Sequence, residues 1–366
     1  MWANKFETRD GVTHGRFVPT LVGGLLVACL FAVPLWSRLV GNPAMVDVRH
    51  LTEMAPMVFR GSVMTVVPGK TDERDVLTID GKRVNTNFVA RFQIDRLYRG
   101  KLPGEGLVHF RYGEFISGHE CINFKPNQYW LVFATAKGGH LELFDDCIGA
   151  LGISSRLGPR NSRSGWLAQM EADFMAGLED TDPASRILSI QRLGGLKLPS
   201  SRPALQNVIA RRDGDEVKWA IYATLRTGDV TVLPMVSQLL ESGDKNMPEW
   251  AISYELRNVT NPSAVPDLLE IFAKAPSDET RMEVLIALVD NIKDRRVVPI
   301  LGPSLSSADS QIRYLAVKGL NTIANSEACS LSRNRDEDEN AAFQRQTASC
   351  KSWWEREGKF ESWARN

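Results

Sequence analysis

Apolar and polar positions between residues 182 and 325 repeat with a period of about 32 residues. In each repeat a charged residue is followed three positions later by an inward-facing side chain, and four positions after that by a leucine. The five copies are Arg186/Ser189/Leu193, Lys218/Ile221/Leu225, Glu249/Ile252/Leu256, Arg281/Val284/Leu288 and Arg313/Ala316/Leu320. The leucines lie 32, 31, 32 and 32 residues apart. This spacing predicts a stack of similar amphipathic helices.

Four prolines give a second mark, nine to eleven residues after the first four leucines. They are Pro203, Pro234, Pro266 and Pro299. Proline at the first helical position gives up only an N–H group that has no partner within the helix, so each proline marks the start of a second helix. Two short helices in a fixed period of this size predict an α-solenoid, because one helix pair cannot bury its apolar face alone.

Two stretches within these repeats resemble a known family. The sequences "AVPDLLEIFAKAPSDETRMEVLIALVDNIKDRRVVPILGPSL" and "SQIRYLAVKGLNTIA" are similar to HEAT-type repeats of the short bacterial kind, which are also called PBS-lyase-like repeats. The resemblance covers residues 182–325 and implies a solenoid of HEAT-like helix pairs. It implies little about activity, because function lies in the sites that a fold carries.

Residues 45–153 change from a helical pattern to a strand pattern. In "NFVARFQIDRLYRG" (87–100) apolar and polar residues alternate, while "YWLVFA" (129–134) is apolar on both faces and is typical of a central strand. The predicted strands are 56–63, 87–100, 106–113, 129–134 and 140–144. Five strands at this spacing predict a small β-barrel rather than an open sheet. The fold class is therefore multidomain, with β and α parts in succession.

The order of these strands resembles the TIMP/netrin module, a type of OB barrel, and the resemblance implies that the predicted barrel is OB-like. The resemblance rests on "VFRGSV" in the first strand, "LYRGK" at the end of the second, Cys121 before Phe124, the "YWLVFA" strand, and Cys147 after the last hairpin. One departure is Asn127, where the family commonly has glycine, although asparagine tolerates a positive φ better than most residues. A second departure is that the domain begins without a cysteine. The zinc-chelating inhibition known from animal metalloprotease inhibitors is therefore not implied.

The N-terminus contains twenty uncharged residues, 17–36, which is about the length of a helix that crosses a bilayer. The basic residues before it favour a cytoplasmic segment at 1–16, a signal anchor or signal peptide at 17–40, and the rest of the chain outside the cytoplasm. The sequence "LVAC" also resembles a bacterial lipobox, in which Cys29 would carry a lipid after cleavage. A retained anchor, a cleaved signal and a lipidated cysteine are the three alternatives.

Four further cysteines agree with export to an oxidising compartment. Four cysteines allow three connectivities, and the domain arrangement favours two local pairs, Cys121 with Cys147 and Cys329 with Cys350. Each bridge would add roughly 3 kcal/mol by restricting the unfolded chain. The alternative is four unrelated buried thiols in a cytosolic protein.

Two further segments flank the repeats. Residues 154–181 are predicted to form a linker and a capping helix whose apolar residues recur every fourth position. Residues 326–366 are predicted to form a C-terminal cap that the second disulfide closes. Its tryptophans, Trp353, Trp354 and Trp363, either dock on the last repeat or form an exposed patch for a partner.

No motif predicts a catalytic residue, a cofactor or a metal site. The five histidines share no ligand spacing, and the "HEC" at 119–121 loses its thiolate if Cys121 is paired. The 44 basic and 44 acidic residues cancel, so no overall field recruits nucleic acid. We therefore expect no cofactor, no nucleic-acid partner and no enzymatic activity.

Together these features predict a bacterial envelope protein, anchored in the cell membrane or exported, whose C-terminal domains lie in the periplasm or on the cell surface. Its solenoid, its barrel or both would bind another protein. On the solenoid we expect the contact on the second helices, at Gln206, Arg211, Gln238, Glu241, Glu270 and Lys274. Two alternatives are an enzyme accessory or lyase-like protein that uses the repeats, and a protease inhibitor that acts through a loop of the barrel.

Overall fold

The computed structural model describes most of the chain from residue 46 onward. The described residues are 46–69, 76–79, 82–85, 87–104, 106–111, 122–145, 148–160, 165–212, 214–243, 249–332 and 338–363. They form a β-barrel followed by a stack of helix pairs. The expected combination of a β part and an α part is thereby confirmed.

Five of the strands in the described part of the chain close a barrel. The strands are β1 (Met57–Pro68), β2 (Val76–Ile79), β3 (Lys82–Asn85), β4 (Asn87–Arg99), β5 (Leu107–Arg111), β6 (Tyr129–Lys137), β7 (His140–Leu143) and β8 (Ala150–Gly152). The barrel runs β1, β4, β5, β7, β6 and back to β1, β8 lies beside β6, and β2 pairs with β3 in a separate hairpin. Neighbours in the barrel are antiparallel except β5 and β7, which are parallel. The predicted five-strand barrel is confirmed.

Strand β6 has buried side chains on both of its faces. Val132 and Ala134 belong to the core inside the barrel, whereas Leu131 and Phe133 belong to a core shared with helices, and all four are fully buried. A strand that is covered on both faces reads as a continuous apolar run rather than as an alternating one. The "YWLVFA" pattern therefore has its cause in the helices that cover the barrel.

The described residues contain twelve α-helices. They are α1 (Val48–Met54), α2 (Trp166–Gly177), α3 (Pro183–Leu196), α4 (Arg202–Arg211), α5 (Gly214–Arg226), α6 (Leu233–Ser242), α7 (Glu249–Leu256), α8 (Val265–Lys274), α9 (Asp278–Ile286), α10 (Val298–Ser304), α11 (Ser310–Thr322) and α12 (Glu339–Arg356). Helices α3, α5, α7, α9 and α11 are the first helices of the repeats, and α4, α6, α8 and α10 are the second helices. The repeat leucines are buried, four of them in these first helices and Leu288 in the turn that directly follows α9. The HEAT-like helical repeat is confirmed.

Each of the four prolines is the second residue of its second helix, where the sequence predicts the helix start. A short 3-10 turn precedes each of these helices. In three of the four turns the capping side chain accepts a hydrogen bond from the backbone N–H two residues later, and these capping residues are Asp229, Asn261 and Asp294. Such turns hold the loop between the two helices in one shape.

Arg60 ties the barrel to the chain that leaves it. Its buried guanidinium donates to the carbonyl oxygens of Ser154, Ser155 and Arg156 at 3.0, 3.1 and 2.8 Å. In the segment predicted as a linker, Ser154 and Gly158 are buried and the residues between them are exposed, so the chain is held against the barrel mainly through its backbone. The backbone carbonyls of this segment accept hydrogen bonds from both terminal nitrogens of a buried arginine, which would otherwise carry a larger desolvation penalty.

Asp173 of α2 fastens the capping helix to the barrel. Its carboxylate accepts hydrogen bonds from Arg96 at 2.5 Å and from the Tyr98 hydroxyl at 2.6 Å, both on β4. The Gly158 N–H donates to the same carboxylate at 2.8 Å. Since β1, β6, α2 and the first helix pairs also share one apolar cluster, the barrel and the solenoid pack as neighbours over a continuous core.

The C-terminal cap is closed as a unit. A disulfide joins Cys329 to Cys350, with Cα atoms 4.4 Å apart and both residues fully buried. This is the pairing that the domain arrangement favours for the tail. Trp353 and Trp354 of α12 lie in the core of the last repeats, so they dock on the solenoid. Gly302 of α10 leaves the space that the Trp354 indole fills.

Several predicted features lie outside the described residues. They are the segments 1–16 and 17–40, the lipobox Cys29, and the pair Cys121 and Cys147. Within the residues that the structure does describe, no helix combines the length and the apolar character that a membrane span requires.

Candidate partner-binding surface

The six residues predicted to meet a partner lie on exposed faces of the second helices. They are Gln206 and Arg211 of α4, Gln238 and Glu241 of α6, and Glu270 and Lys274 of α8. The structure brings three of them together, because Lys274 Nζ lies 3.2 Å from the Glu241 carboxylate and 2.9 Å from that of Glu270. Gln206 donates to Asp229 at 2.9 Å. This face is polar, and part of it is engaged in its own ion pairs.

The first helices carry a different row of side chains. The residue six positions before each repeat leucine is large and apolar, and we call this row the first-helix stripe: Ile187, Trp219, Trp250, Met282 and Tyr314. Its members lie 32, 31, 32 and 32 residues apart. Four are half-buried, and Tyr314 is 40% exposed. The stripe therefore places one large apolar side chain per repeat at the same position of each first helix.

Contacts with neighbouring side chains hold the aromatic rings of the stripe in place. Trp219 makes an edge-to-face contact with Tyr222, with ring centroids 5.7 Å apart. Tyr314 lies against Phe343 of α12 with centroids 6.2 Å apart. Trp250 packs against the apolar core of the repeats. Aromatic side chains that are already oriented lose little conformational entropy when a partner covers them.

Ion pairs join neighbouring first helices, or the residues that directly follow them, in the described repeats. With their shortest N···O distances they are Arg186–Glu216 (2.6 Å), Arg226–Glu255 (3.1 Å), Arg257–Glu283 (2.6 Å) and Lys318–Asp290 (2.7 Å). Both side chains of the Arg226–Glu255 pair are buried. Loss of one partner from a buried pair leaves an uncompensated charge in the core. These pairs therefore favour one register of the stack and disfavour others.

Glu283 of α9 is a buried acid in the fourth repeat, and it forms an ion pair with Arg257. Burial raises the pKa of Glu283 to about 7, and the attraction of Arg257 offsets only part of that effect. The Arg257 guanidinium also lies 4.8 Å from the centroid of the Tyr254 ring, which is a cation–π contact. A carboxyl group with this pKa gains and loses its proton near neutral pH.

A π-helical turn, Ala287–Ile292, follows α9 and directs two polar side chains to neighbouring repeats. The Asn291 side-chain amide donates to the carbonyl oxygen of Arg257 at 2.7 Å, and Asp290 forms the pair with Lys318. Turns of this kind are rare and occur frequently at functional sites. Repeats three to five thus combine the stripe, a titratable buried carboxyl group and an irregular helix.

The sequence contains the signal of the first-helix stripe, although our prediction placed the contact on the second helices. The stripe follows the same spacing as the leucines, so the register that locates the leucines also locates the stripe. Glu283 has no such signal, because its partner Arg257 lies 26 residues away and only the stack brings the two together. Among the described residues, no group of three or more His, Cys, Asp or Glu is placed to hold a metal ion, and His119 and Glu120 lie outside them.

Comparison with known proteins adds one structural likeness. No protein-family model matches the chain, and no curated protein matches it. Among the solved structures that match is the complex of CpcE and CpcF of phycocyanin lyase from Nostoc sp. PCC7120, at 18% identity and a TM-score of 0.33. The match covers 48% of this chain and 70% of the other.

This likeness requires one correction. The expectation that the protein is not an enzyme is contradicted, because the matching structure is a lyase complex. We therefore withdraw that expectation. No activity, substrate or partner of the lyase is assigned to this chain from a match of this size.

Proposed function

We propose that the protein binds a partner protein along the first-helix stripe of its solenoid. The observation that carries the proposal is the row of five large apolar side chains, one in each repeat, held partly exposed at equivalent positions. Binding energy at protein interfaces is concentrated in a few residues, chiefly Trp, Tyr and Arg, that fill a well-packed centre. Trp219, Trp250 and Tyr314 supply such anchors.

The second-helix face with its six predicted residues is the alternative contact. A partner on that face would have to desolvate the Glu241–Lys274–Glu270 ion pairs, whose side chains are about half exposed. Exposed ion pairs contribute little in water, and interface centres are depleted of charged residues. The stripe therefore offers the larger gain from the hydrophobic effect.

The test compares variants of the full chain once a partner has been isolated from envelope extract and purified. We expect Tyr314→Ala to weaken the measured affinity at least ~10-fold, which corresponds to about 1.4 kcal/mol. The matched control is Phe360→Ala, which removes an aromatic side chain that is 74% exposed and lies outside the stripe. We expect that control and Glu270→Lys to leave the affinity within about twofold. If Glu270→Lys weakens the affinity and Tyr314→Ala leaves it unchanged, the contact lies on the second helices instead.

A second candidate function is an enzyme accessory or lyase-like protein that uses the repeats. The observation that favours it is Glu283, a buried carboxyl group with a pKa of about 7 beside Arg257. Groups with such shifted pKa values are enriched at functional sites, and a pKa near the working pH suits proton transfer. The side chain is almost fully buried, so this role requires Arg257 to move when a partner or substrate binds.

The variant Glu283→Gln separates the two candidate functions. Glutamine keeps the shape of the side chain but carries no titratable proton. If Glu283 transfers a proton, the reaction of the assembled complex slows about 100-fold or more while the partner affinity is unchanged. Glu279→Gln, one turn earlier on α9, is the matched control. Equal rates for Glu283→Gln and the control would remove the enzymatic candidate and leave partner binding.

We further propose that the chain is anchored through residues 17–40 with its folded domains outside the cytoplasm. The disulfide Cys329–Cys350 supports this location, because such bonds persist in oxidising compartments. A non-reducing peptide map of protein from fractionated cells tests it. Intact bridges in the envelope fraction are expected, and free thiols in the cytosolic fraction would contradict the proposal.

We also propose that the barrel is of the OB type and is related to the TIMP/netrin module. Its five strands form one closed circuit in which a single neighbouring pair, β5 and β7, is parallel. Asn127, which stands where the family commonly has glycine, adopts a φ of 68°. The turn therefore keeps the left-handed conformation that glycine would supply. In this proposal the bridge Cys121–Cys147 staples the barrel.

A further inference from the structure

The barrel closes through a short seam between β5 and β7. Two residue pairs join these parallel strands, Val108 with Leu141 and His109 with Glu142. Val108 and Leu141 are fully buried, so the alternation along each strand places His109 and Glu142 on the outer face. Strand β7 has only four residues. A disturbance at the outer pair therefore acts on half of the pairing that closes the barrel on this side.

His140 completes a cluster at the seam. The His109 and His140 rings lie 4.0 Å apart, centroid to centroid, with a 39° angle between their planes. His140 Nε2 is 3.6 Å from the Glu142 carboxylate. Lys137 of β6 binds the same carboxylate, with its Nζ 3.0 Å away. One carboxylate therefore faces a charged ammonium group and one of two stacked imidazoles.

The remaining strand next to the seam adds no acid to this cluster in the described residues. Val89 of β4 lies opposite His109, and Arg91 follows two residues later on the same strand. Arg111 lies two residues after His109 on β5 itself. The charged positions on β4 and β5 nearest to the His109 pair are thus basic. Among the residues that the structure describes, Glu142 is the carboxylate that interacts with both imidazoles.

The closed seam disfavours a proton on His109. Partial burial, and next the neighbouring His140, lower the pKa of His109 below that of a free imidazole, while Glu142 opposes this shift. The His140 ring lies directly beside the Glu142 carboxylate, which also binds Lys137. When both His109 and His140 are protonated, two positively charged rings lie in stacking contact. The Glu142 carboxylate beside them is already shared by Lys137 and His140.

We propose that His109 and His140 form an acid-sensitive latch, in which neutral rings stack across the β5–β7 seam and the seam opens when both rings are charged. His109 binds its proton more weakly in the closed barrel than in the open chain. The stability that the closed seam gains is therefore complete above the ordinary imidazole pKa of about 6.5 and is lost as the pH falls through the lower pKa of the closed form. The latch is independent of the proposed partner-binding face.

Hydrogen exchange of the full chain tests the latch at about pH 7.5 and about pH 5, with rates corrected for intrinsic exchange. We expect the protection of the seam amides, 108–110 and 141–143, to fall at least about tenfold at the lower pH, while the β1–β4 ladder keeps its protection. His109→Gln should remove this pH dependence. The matched control is His50→Gln, which replaces an exposed histidine of α1. Seam protection that is the same at both pH values would overturn the proposal.

An NMR titration of the wild-type histidines gives a readout that does not depend on the folding of a variant. The His109 imidazole should titrate below the ordinary imidazole pKa of about 6.5. His140→Gln should raise the pKa of His109, because it removes the competing positive charge. Titration of His109 at or above the ordinary imidazole pKa would overturn the latch.

Discussion

Glu283 is a residue in which burial and charge act against each other. Its carboxylate lies 2.6 Å from Arg257, a distance typical of a strong ion pair. Burial nevertheless raises its pKa to about 7. A desolvation penalty that exceeds the attraction of the partner is common for buried ion pairs. The folded chain therefore holds a proton on Glu283 over a pH range in which an exposed glutamate is ionised.

This conflict predicts a pH dependence of stability. Between the ordinary carboxyl pKa of 4.5 and about 7, the folded chain keeps the proton that the unfolded chain has released. The free energy of unfolding therefore falls as the pH rises through this window, by at most ~3 kcal/mol. Urea unfolding at a series of pH values measures the slope, and Glu283→Gln should remove it. A slope that persists in that variant would place the titrating group elsewhere.

Gly302 predicts a second effect of a single residue. A Cβ at this position would overlap the indole of Trp354, whereas a Cβ at Gly104 would meet nothing within 4 Å. Overpacking of a dense core costs about 1–3 kcal/mol. We expect Gly302→Ala to lower the free energy of unfolding by about that amount and Gly104→Ala to leave it nearly unchanged. Equal denaturant midpoints for the two variants would show that α12 does not dock as described.

At the scale of elements, local chemistry made much of the fold predictable. The prolines mark the second helices because their missing N–H is tolerated only in the first turn, and the leucines mark the buried side of the first helices. Apolar and polar residues that alternate, as in β4, or a continuous apolar run, as in β6, located the five barrel strands. The contact predicted on the second helices, at polar exposed residues such as Gln238, stays a prediction. The register of the leucines also locates the positions of the stripe, such as Trp250, but how far each of these side chains is buried depends on the packing of neighbouring repeats.

The C-terminal disulfide ties one element to another, and its removal has a predictable cost. It joins a 3-10 turn after the last repeat to the middle of α12, and the two cysteines are 21 residues apart. Closing a loop of this size contributes about 3 kcal/mol by restricting the unfolded chain. Thermal unfolding with reductant should therefore begin at lower temperature. The double variant Cys329→Ala/Cys350→Ala should not respond to reductant, and a response there would mean that another bridge is involved.

At the scale of the whole molecule, the barrel and the solenoid share a core. Strand β6, helix α2 and the first helix pairs contribute to one apolar cluster, and Arg60 binds carbonyl oxygens more than 90 residues later in the chain. The sequence pattern predicts each part separately because its periodicities are local. The packing of one part on the other depends on contacts between distant residues, which no local period reveals. The predicted boundary near residue 154 therefore falls where Arg60 of the barrel binds the chain that leads to the solenoid.

The shared core predicts coupling between the two parts. Ile190 of α3 is fully buried in the cluster that includes β6, whereas Leu268 of α8 is fully buried in the cluster of the later repeats. Truncation of either side chain to alanine costs about 2–5 kcal/mol. We expect Ile190→Ala to lower hydrogen-exchange protection in β6 and Leu268→Ala to spare it. Unchanged protection of β6 in Ile190→Ala would show that the barrel is stable independently of the repeats.

The central claim is that the first-helix stripe binds a partner protein, and site-specific photo-crosslinking in living cells tests it most directly. A photoreactive amino acid is placed in turn at Tyr314 on the stripe, at Gln238 on the second-helix face, and at Phe360, which is exposed outside both. The account predicts one discrete adduct from position 314 and none from positions 238 and 360. An adduct from position 238 with none from position 314 would contradict it.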